Sequence, residues 1–302
     1  EDNKKMIQIV YLNRPHIASK YIDYIKENTD WKIIFYGHDL HFLRLQREYA
    51  LKPRPELLEE IAYFKSMELS VLQKADISYY PSNLEVEEIH KIDDSIPVKA
   101  ITAYVFSDSV QVEKMTEGRE GMLFVGGFAH PPNEDGVLWF AKEIFPLMRR
   151  QLPNLRFRIV GSKPTEKVLA LEQQEGIEVL GFVSDEKLHS LYQESRMVIV
   201  PLRYGAGVKG KVVEALHEGA AILTTPCGAE GIPGIEEVVA IEGEEREFAK
   251  TGALLYQNIP KLREMGQKSL EFVEKAFSTE AVFEGVRQDF GLGKDGEVLE
   301  LK

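Results

Sequence analysis

The sequence predicts an α/β protein of two domains, each built on a parallel sheet covered by helices. Short apolar runs rich in β-branched residues alternate with amphipathic stretches, and this alternation occurs in both halves of the chain. The length of 302 residues also favours two domains, because a domain commonly contains about 100–200 residues. In the second half, glycines concentrate directly after the predicted strands. Ligands bind at that edge of an open parallel sheet.

The first half contains four predicted strands and the helices between them. Ser82 with Glu85 forms a capping-box pattern that is expected to open the last of these helices. The strands are expected at Met6–Leu12, Trp31–Tyr36, Ile77–Tyr80 and Val98–Val105, and the helices at Ile17–Glu27, in the later part of 38–48, at Glu56–Gln73 and after Ser82. Phe106–Gly121 lacks hydrophobic periodicity and is predicted to link the domains.

The second half shows the same alternation more clearly. The strands are expected at Met122–Val125, Leu155–Val160, Val179–Leu180, Met197–Val200, Ala221–Thr224 and Val238–Ile241. The helices are expected at Val137–Arg150 (with Asn133 as a possible N-cap), Asp185–Glu194, Lys211–Glu218 (closed by Gly219), Phe248–Gln257, Ile259–Phe277 and Thr279–Phe290. We therefore expect a first domain over residues 1–118, a second over 119–290 and a frayed tail over 291–302.

Charge and composition exclude several function classes. The formal net charge is −12 and is spread over both halves, which argues against nucleic-acid binding and against strong binding to anionic lipid. The single cysteine, Cys227, allows no internal disulfide and is typical of a reducing cytoplasm, the expected location. The sequence contains no D-x-D pair and no CxxC or HExxH motif, so no metal site and no cofactor are expected.

The most informative segment is PLRYGAGVKGKVVEALHEG at 201–219, where cations surround a predicted helix start. Arg203, Lys209 and Lys211 are unfavourable beside the positive end of a helix dipole unless they bind an anion, and a diphosphate fits. Glu214 lies about 5 Å further along the helix axis, where a carboxylate can accept hydrogen bonds from ribose hydroxyls. The alternative is a solvated helix start in which Lys211 pairs with Glu214.

The glycine motifs of the second half occur in a characteristic order. Val125-Gly126-Gly127 and Val160-Gly161 are followed by Gly181-Phe182-Val183, and then by the loop that leads to Glu214. From Leu123 to Phe290 the chain resembles the C-terminal domain of the retaining glycosyltransferases called group one, or family four. The resemblance implies a GT-B fold, in which two Rossmann-like domains face a cleft, and a donor site in the second domain. It assigns Glu214 to the ribose and residues 181–183 to the nucleobase.

Two positions depart from the family pattern. The first of two glutamates in the family motif, a contact to the donor sugar, is replaced by Ala206, and the first glycine loop lacks the usual arginine and lysine. Arg203, Lys209 and Lys211 are expected to supply that charge. A subgroup with H-x-P-N and G-x-G-x-K-x-K loops resembles this chain. It implies a donor site that includes His130 and Asn133, although His130 as a turn-capping residue is equally compatible. The expected donor-binding residues are Gly126, Gly127, His130, Asn133, Gly161, Phe182, Val183, Arg203, Gly205, Ala206, Gly207, Val208 and Glu214.

In the first half, the loop after the second predicted strand contains His38 and His41. By resemblance, His38 contacts the donor sugar or the acceptor and joins Lys209 and Lys211 as the catalytic set. Arg14, His41 and Arg44 are expected on the acceptor side, and solvated side chains around a capping Asp39 are the alternative. The chain begins at what resembles a middle strand of the family's first domain. The first domain is therefore expected to be short or truncated.

The resemblance implies transfer of a sugar from a nucleoside-diphosphate sugar to an acceptor hydroxyl with retention and without a metal. Expected partners are the nucleotide sugar and a glycan or lipid-linked acceptor. A peripheral membrane contact at the inner face, and a further domain or subunit, stay open. The alternatives are a sugar-nucleotide-binding module without transferase activity, another GT-B enzyme such as an epimerase, and a partner subunit.

Overall fold

The computed structural model describes residues 7–102, 104–106 and 118–293, and it divides the chain into two compact units. The first unit comprises Glu1–Val105, Tyr204–Val208 and Thr279–Lys302, and the second comprises Phe106–Arg203 and Lys209–Ser278. Each unit is built on one parallel sheet with helices, which confirms the predicted fold class. Most of the predicted linker and most of the predicted tail lie outside the described residues.

The first unit contains a four-stranded sheet whose strands pair in chain order, all of them parallel. The strands are β1 (Ile9–Asn13), β2 (Lys32–Tyr36), β3 (Ile77–Tyr80) and β4 (Val98–Ala100), and the helices between them are α1 (Pro15–Asn28), α2 (His41–Leu51), α3 (Pro55–Leu72) and α4 (Asn83–His90). β4 is shorter than predicted and ends at Ala100.

Local sequence signals explain where these helices begin. Pro15 and Pro55 occupy the first positions of α1 and α3, where the missing N–H has no helical partner in any case. The Ser82 hydroxyl accepts a hydrogen bond from the Glu85 N–H and caps α4, which confirms the capping prediction. The helices bury apolar residues such as Ile22 and Leu72 against the sheet.

The second unit contains a six-stranded parallel sheet in the order β10-β9-β8-β5-β6-β7. The strands are β5 (Met122–Val125), β6 (Phe157–Val160), β7 (Ile177–Gly181), β8 (Met197–Val200), β9 (Ile222–Thr224) and β10 (Ala240–Ile241). The helices are α5 (Pro131–Trp139), α6 (Phe145–Arg149), α7 (Glu166–Leu169), α8 (Asp185–Glu194), α9 (Gly210–His217), α10 (Pro226–Ala229), α11 (Glu245–Gln257) and α12 (Ile259–Ala276).

The helix predicted over Val137–Arg150 is interrupted. α5 is followed by a π-helical turn at Phe140–Ile144 and then by α6. Pro146 explains the interruption, because a proline inside a helix lacks the N–H donor and clashes with the carbonyl four residues earlier. The wider turn accommodates it.

Three further details differ from the sequence predictions. The N-cap of α5 is His130, so Asn133 lies inside the first turn, and the prediction that Asn133 caps the helix is wrong. Two prolines at 131 and 132 open the helix earlier because they suit its first turn. The short helices α7 and α10 were not predicted, since four residues are too few to establish a helical period.

A last helix, α13 (Thr279–Val286), belongs to the first unit rather than to the second. Val286 and Phe290 pack against a small core that includes Ile34 and Tyr79. The Asp289 carboxylate accepts hydrogen bonds from the Tyr79 hydroxyl at 2.6 Å and from the Lys99 ammonium at 2.8 Å. The segment after α12 thus supplies an apolar cover and a polar anchor to the first sheet. This grouping differs from the expected division at residue 290.

Within the described ranges, no helix is both long enough and apolar enough to cross a membrane.

Candidate functional site

The candidate site of the second unit lies where the strand order of its sheet reverses. The chain passes from β5 outward to β6 and β7, and then returns to the other side of β5 with β8. The loops after β5 and β8 therefore diverge at the carboxyl ends of neighbouring strands. Such a switch point is where open α/β sheets bind ligands.

Close backbone approach shapes the first glycine loop. The Gly126 N–H donates to the Val160 carbonyl at 2.9 Å, and the Gly161 N–H donates to the Gly181 carbonyl at 2.8 Å. A Cβ on Gly161 would lie 2.0 Å from the Gly126 carbonyl oxygen, so only glycine fits there. Gly127 continues the loop, and a Cβ on it would lie 3.2 Å from the Ser162 hydroxyl.

Lys211 projects from the start of α9 to this first loop. Its ammonium donates a hydrogen bond to the Asn133 Oδ1 and lies 4.9 Å from the centre of the Phe124 ring. A Cβ on Gly126 would come within 2.7 Å of the Lys211 Nζ. The start of α9 and the loop after β5, which the sequence linked only through family resemblance, therefore meet at this ammonium.

Burial lowers the pKa of Lys211 to about 7, and the positive charge of Lys209 acts in the same direction. Glu214 and Cys227 oppose the shift. Near neutral pH this amine is consequently poised between its two protonation states. An anion placed beside it would favour the ammonium form.

The other two predicted cations have partners within the unit. Lys209 is the N-cap residue of α9 and is 8% exposed, and its Nζ lies 3.9 Å from a Glu230 carboxylate oxygen. Arg203 forms a bidentate pair with Asp135, with distances of 2.8 and 2.6 Å, and its guanidinium lies over the Trp139 ring. No pattern in the sequence indicated the Arg203–Asp135 pair. Much of the charge of Arg203 is therefore already compensated.

The glycine loop Tyr204–Val208 belongs to the first unit, where backbone contacts hold it. Arg47 of α2 donates to the Gly205 carbonyl at 2.6 Å. Gly207 has a φ of +67°, and a Cβ on it would lie 3.2 Å from the His38 carbonyl oxygen. Ala206 packs against the larger core of this unit, and Val208 is partly buried.

Glu214 lies one turn into α9, as predicted, and is partly buried. Burial raises the pKa of its carboxyl group, the Tyr192 hydroxyl acts against the shift, and the charge of Glu218 adds to it. A carboxylate in this setting gains from hydrogen-bond donors such as hydroxyl groups.

Phe182 and Val183 directly follow β7, and their contact with a base stays a prediction. Phe182 is 80% exposed, and Val183 is partly buried. His130 is exposed and begins α5 without capping it through its side chain.

In the first unit, two strands end in strained residues. Arg14 after β1 and His38 after β2 have positive φ angles of 64° and 65°, which residues with a Cβ rarely adopt. The His38 Nε2 lies 2.6 Å from the Asn13 Oδ1, and the ring packs edge-on to Tyr36 at 4.6 Å. Burial, followed by the charge of Arg14, lowers the pKa of His38. Strain of this kind at strand ends often marks a functional site.

His41 and Arg44 are held by carboxylates. The fully buried Glu68 accepts hydrogen bonds from the His41 N–H and from its ring at 2.9 Å, and Asp39 accepts one from Arg44 at 3.0 Å. Burial lowers the pKa of His41, but Glu68 and Asp39 outweigh burial and raise it. The His41 ring stacks on Phe64. These contacts make His41 a structural group of the loop, as well as a candidate for the acceptor side.

Sequence reasoning missed Asp135, Glu230, Arg47 and Lys163. Lys163 is exposed after β6 and has a φ of 54°, so it is a third strained residue at a strand end. Its place two residues beyond the Val160-Gly161 motif could have indicated it. The partners Asp135, Glu230 and Arg47 are distant in sequence and carried no local signal. Within the described part of the chain, no group of three or more His, Cys, Asp or Glu side chains could hold a metal ion.

Comparison with known proteins agrees with this geometry. Residues 119–258, just under half of the chain, match the family model described as glycosyl transferases group 1. A protein of Klebsiella pneumoniae, described as an uncharacterized 44.6 kDa protein in the cps region, is 26% identical over 172 residues, which are 55% of this chain and 44% of that protein. The chain thus spans less than half of the length of this curated relative.

Solved structures share the fold. TarM superposes with a TM-score of 0.71 at 13% identity, over 94% of this chain and 56% of TarM. A sucrose-phosphate synthase from Thermosynechococcus elongatus gives 0.72 at 14% identity, over 93% and 72%. WaaG, a glycosyltransferase involved in lipopolysaccharide biosynthesis, gives 0.62 at 12% identity, over 86% and 77%. The two parallel-sheet units are therefore the Rossmann-like domains of the GT-B fold, and with the family match they support glycosyl transfer.

Proposed function

We propose that this chain is the catalytic part of a glycosyltransferase that moves a sugar from a nucleoside-diphosphate sugar to an acceptor hydroxyl with retention. The product belongs to bacterial surface polysaccharide or glycoconjugate synthesis. The observation that carries the proposal is the cationic start of α9, which lies at the switch point of the unit that matches group 1 glycosyltransferases.

The leaving diphosphate is stabilised by charges and dipoles of the protein. Negative charge accumulates on the β-phosphate as the anomeric bond breaks. Lys209, Lys211 and the N–H groups at the start of α9 face that charge in our proposal. Lys211 has a pKa of about 7, so the diphosphate draws it into the ammonium form. We propose that no metal ion is required.

The remaining donor contacts follow from the loops of the second unit. Glu214 accepts hydrogen bonds from the ribose hydroxyls, and Gly181–Val183 contact the base. The first glycine loop, which contains Gly126 and Gly127, approaches the diphosphate through its backbone. Arg203 assists only indirectly, because Asp135 already pairs with its guanidinium.

We place the acceptor contacts on the first unit. His38 has a lowered pKa and is therefore neutral near pH 7, so it can accept a hydrogen bond from the attacking hydroxyl. Arg14, His41 and Arg44 line the same strand ends. The acceptor is a glycan or a lipid-linked glycan. A structure of S. aureus TarM in complex with alpha-GlcNAc-glycerol and UDP supports these classes of ligand.

The second candidate function is a module that binds sugar nucleotides without transferring the sugar, or a partner subunit of a glycosyltransferase. Ala206 favours it, because a methyl group packed into a core cannot replace a carboxylate contact to the donor sugar. The fold is also shared with a complex described as GtfA/B, at a TM-score of 0.62.

Turnover of labelled nucleotide sugars separates the two candidates. We expect a panel of labelled UDP-, GDP- and dTDP-sugars to yield one donor that is consumed only when a glycan acceptor is present. Product stereochemistry, read by NMR of the new anomeric proton, would then show retention. Tight binding of a donor without any consumption, with acceptors of several classes, would favour the non-catalytic module.

A further inference from the structure

Asn133 is a buried polar residue, 5% exposed, in the first turn of α5. Both halves of its side-chain amide are engaged. The Nδ2 donates to the Gly127 carbonyl at 2.7 Å, and the Oδ1 accepts from the Lys211 ammonium. The side chain therefore joins the first glycine loop to the start of α9.

The orientation of this amide follows from its partners. A backbone carbonyl can only accept a hydrogen bond and an ammonium can only donate one, so the Nδ2 must face Gly127 and the Oδ1 must face Lys211. No other uncharged side chain satisfies both partners at this length. An aspartate offers no donor to the carbonyl, and a leucine offers neither group.

Several groups surround the Lys211 ammonium, and Asn133 is the one that accepts its hydrogen bond. Lys209 and Glu214 of α9 and Cys227 of α10 act on it through charge, and the Phe124 ring of β5 lies beneath it. Among these groups, Asn133 has the acceptor to which the ammonium donates. Gly126 closes the other side, where there is no room for a Cβ.

We propose that Asn133 is a positioning residue, which acts through Lys211 and does not itself contact the nucleotide sugar. Its carbonyl oxygen holds the Lys211 ammonium in place, and its NH₂ group fixes the Gly126–Gly127 loop against it. The role in nucleotide binding rests on the proposed function. The coupling between Asn133 and Lys211 does not, and it is testable without any ligand.

Two substitutions of similar size should act on Lys211 in opposite directions. Asn133→Asp places a negative charge beside the amine and should raise the pH at which Lys211 loses its proton by at least about one unit. Asn133→Leu removes the acceptor without leaving a large void and should lower that pH. A residue that only fills space would produce no such ordering.

The first experiment measures this directly in the ligand-free protein. Lysine Cε-labelled protein is titrated by NMR, and the Lys211 signal is assigned by its absence in Lys211→Met. We expect the titration midpoint of Lys211 to be highest in Asn133→Asp, intermediate in the parent and lowest in Asn133→Leu. Asn258→Asp is the matched control, because Asn258 caps α12 through its Oδ1 and an aspartate can do the same. Equal midpoints in both Asn133 variants and in the parent, with the fold intact by circular dichroism, would overturn the proposal.

The second experiment measures UDP, GDP and dTDP binding by calorimetry between pH 6 and 9. Affinity in the parent should fall as the pH rises above about 7, since the diphosphate favours the protonated amine. The onset of this fall should shift to higher pH in Asn133→Asp and to lower pH in Asn133→Leu. An onset that stays in place in both variants contradicts the positioning role. If none of the three nucleotides binds the parent protein, the proposed function fails, and the NMR result still decides the inference.

Discussion

At the scale of single residues, the candidate site depends on cations placed where a helix dipole disfavours them. Lys209 begins α9 and Lys211 follows inside its first turn. Lys209 is buried and Lys211 is half-buried, and for Lys211 the cost of desolvation is visible in the lowered pKa. Groups held in this way are well suited to an anionic ligand, because binding restores the favoured charge balance.

The first prediction concerns these two lysines. We expect Lys209→Ala combined with Lys211→Ala to weaken binding of nucleoside diphosphates at pH 6.5 by about 10-fold or more, because each charge-assisted hydrogen bond contributes about 1.5–3 kcal/mol. Calorimetry with UDP, GDP and dTDP measures the effect. Lys250→Ala, at an exposed lysine of α11 in the same unit, is the control. Unchanged affinity in the double variant would remove the diphosphate site from α9.

The second prediction concerns the pH dependence of stability that follows from the lowered pKa of Lys211. Between pH 7 and 10.5 this group is largely neutral in the folded protein and protonated in the unfolded chain, so the unfolded state binds more protons. The contribution of Lys211 to stability therefore rises with pH across that window. The free energy of unfolding of Lys211→Met should exceed that of the parent by the largest amount at pH 7. We expect this difference to shrink toward pH 10, as measured by urea unfolding.

Lys250→Met serves as the control for this measurement, because Lys250 is an exposed lysine of the same unit. A pH-independent difference between Lys211→Met and the parent would show that the Lys211 amine keeps an ordinary pKa. The charge-switching account would then be wrong.

The third prediction concerns Glu214. Glu214→Gln should keep the fold, since both residues suit a helix. It should weaken UDP binding by about 10-fold, because a charged acceptor for two hydroxyl groups becomes a neutral one. Binding of pyrophosphate, which lacks a ribose, should hardly change. An equal loss for both ligands would mean that Glu214 positions Lys211 instead.

At the scale of elements, close contact between backbone segments shapes the glycine loop that follows β5. The first glycine loop lies so close to the strand end at Gly161 that a methyl group there would collide with the Gly126 carbonyl. At Gly161 the glycine is thus a packing requirement of adjacent parallel strands. At Gly126 a Cβ would instead meet the Lys211 Nζ and the Asn133 side chain.

The fourth prediction follows from this packing. Gly161→Ala should destabilise the second unit by about 1–3 kcal/mol, because the new methyl group would collide with the Gly126 carbonyl group, which belongs to the backbone and cannot move away easily. Thermal unfolding measures it. Gly285→Ala is the matched control: it lies in α13 with nothing within 4 Å of its Cβ position, so alanine should be neutral or slightly stabilising. Equal melting temperatures for Gly161→Ala and the parent would show that this loop is not closely packed.

At the scale of the whole molecule, the chain crosses between its two units more than once. Residues 204–208 and 279–302 belong to the first unit although their flanking segments belong to the second. In the first unit, the segment after α12 covers an apolar patch of the sheet and anchors at Asp289. A helical period in the sequence locates α13, but it does not say which sheet the helix covers.

The fifth prediction concerns the reaction of the whole protein. If lysines and a helix dipole stabilise the leaving diphosphate, transfer should continue at an unchanged rate in excess EDTA. A donor-consumption assay with and without chelator, with added Mg²⁺ or Mn²⁺ as the comparison, measures this. A rate that collapses on chelation and returns with the metal would refute the lysine-based account.

The sequence by itself determined the α/β class, the two parallel sheets and the glycine loops at the strand ends, because hydrophobic period and glycine position are local properties of the chain. It also placed Lys209, Lys211 and Glu214 around one helix start. Only the tertiary structure decided which of these charges are compensated. Arg203 pairs with Asp135, and Lys211 reaches Asn133, across 68 and 78 positions of sequence. Such pairs form when strands far apart in the chain become neighbours in a sheet, and no local pattern records that neighbourhood.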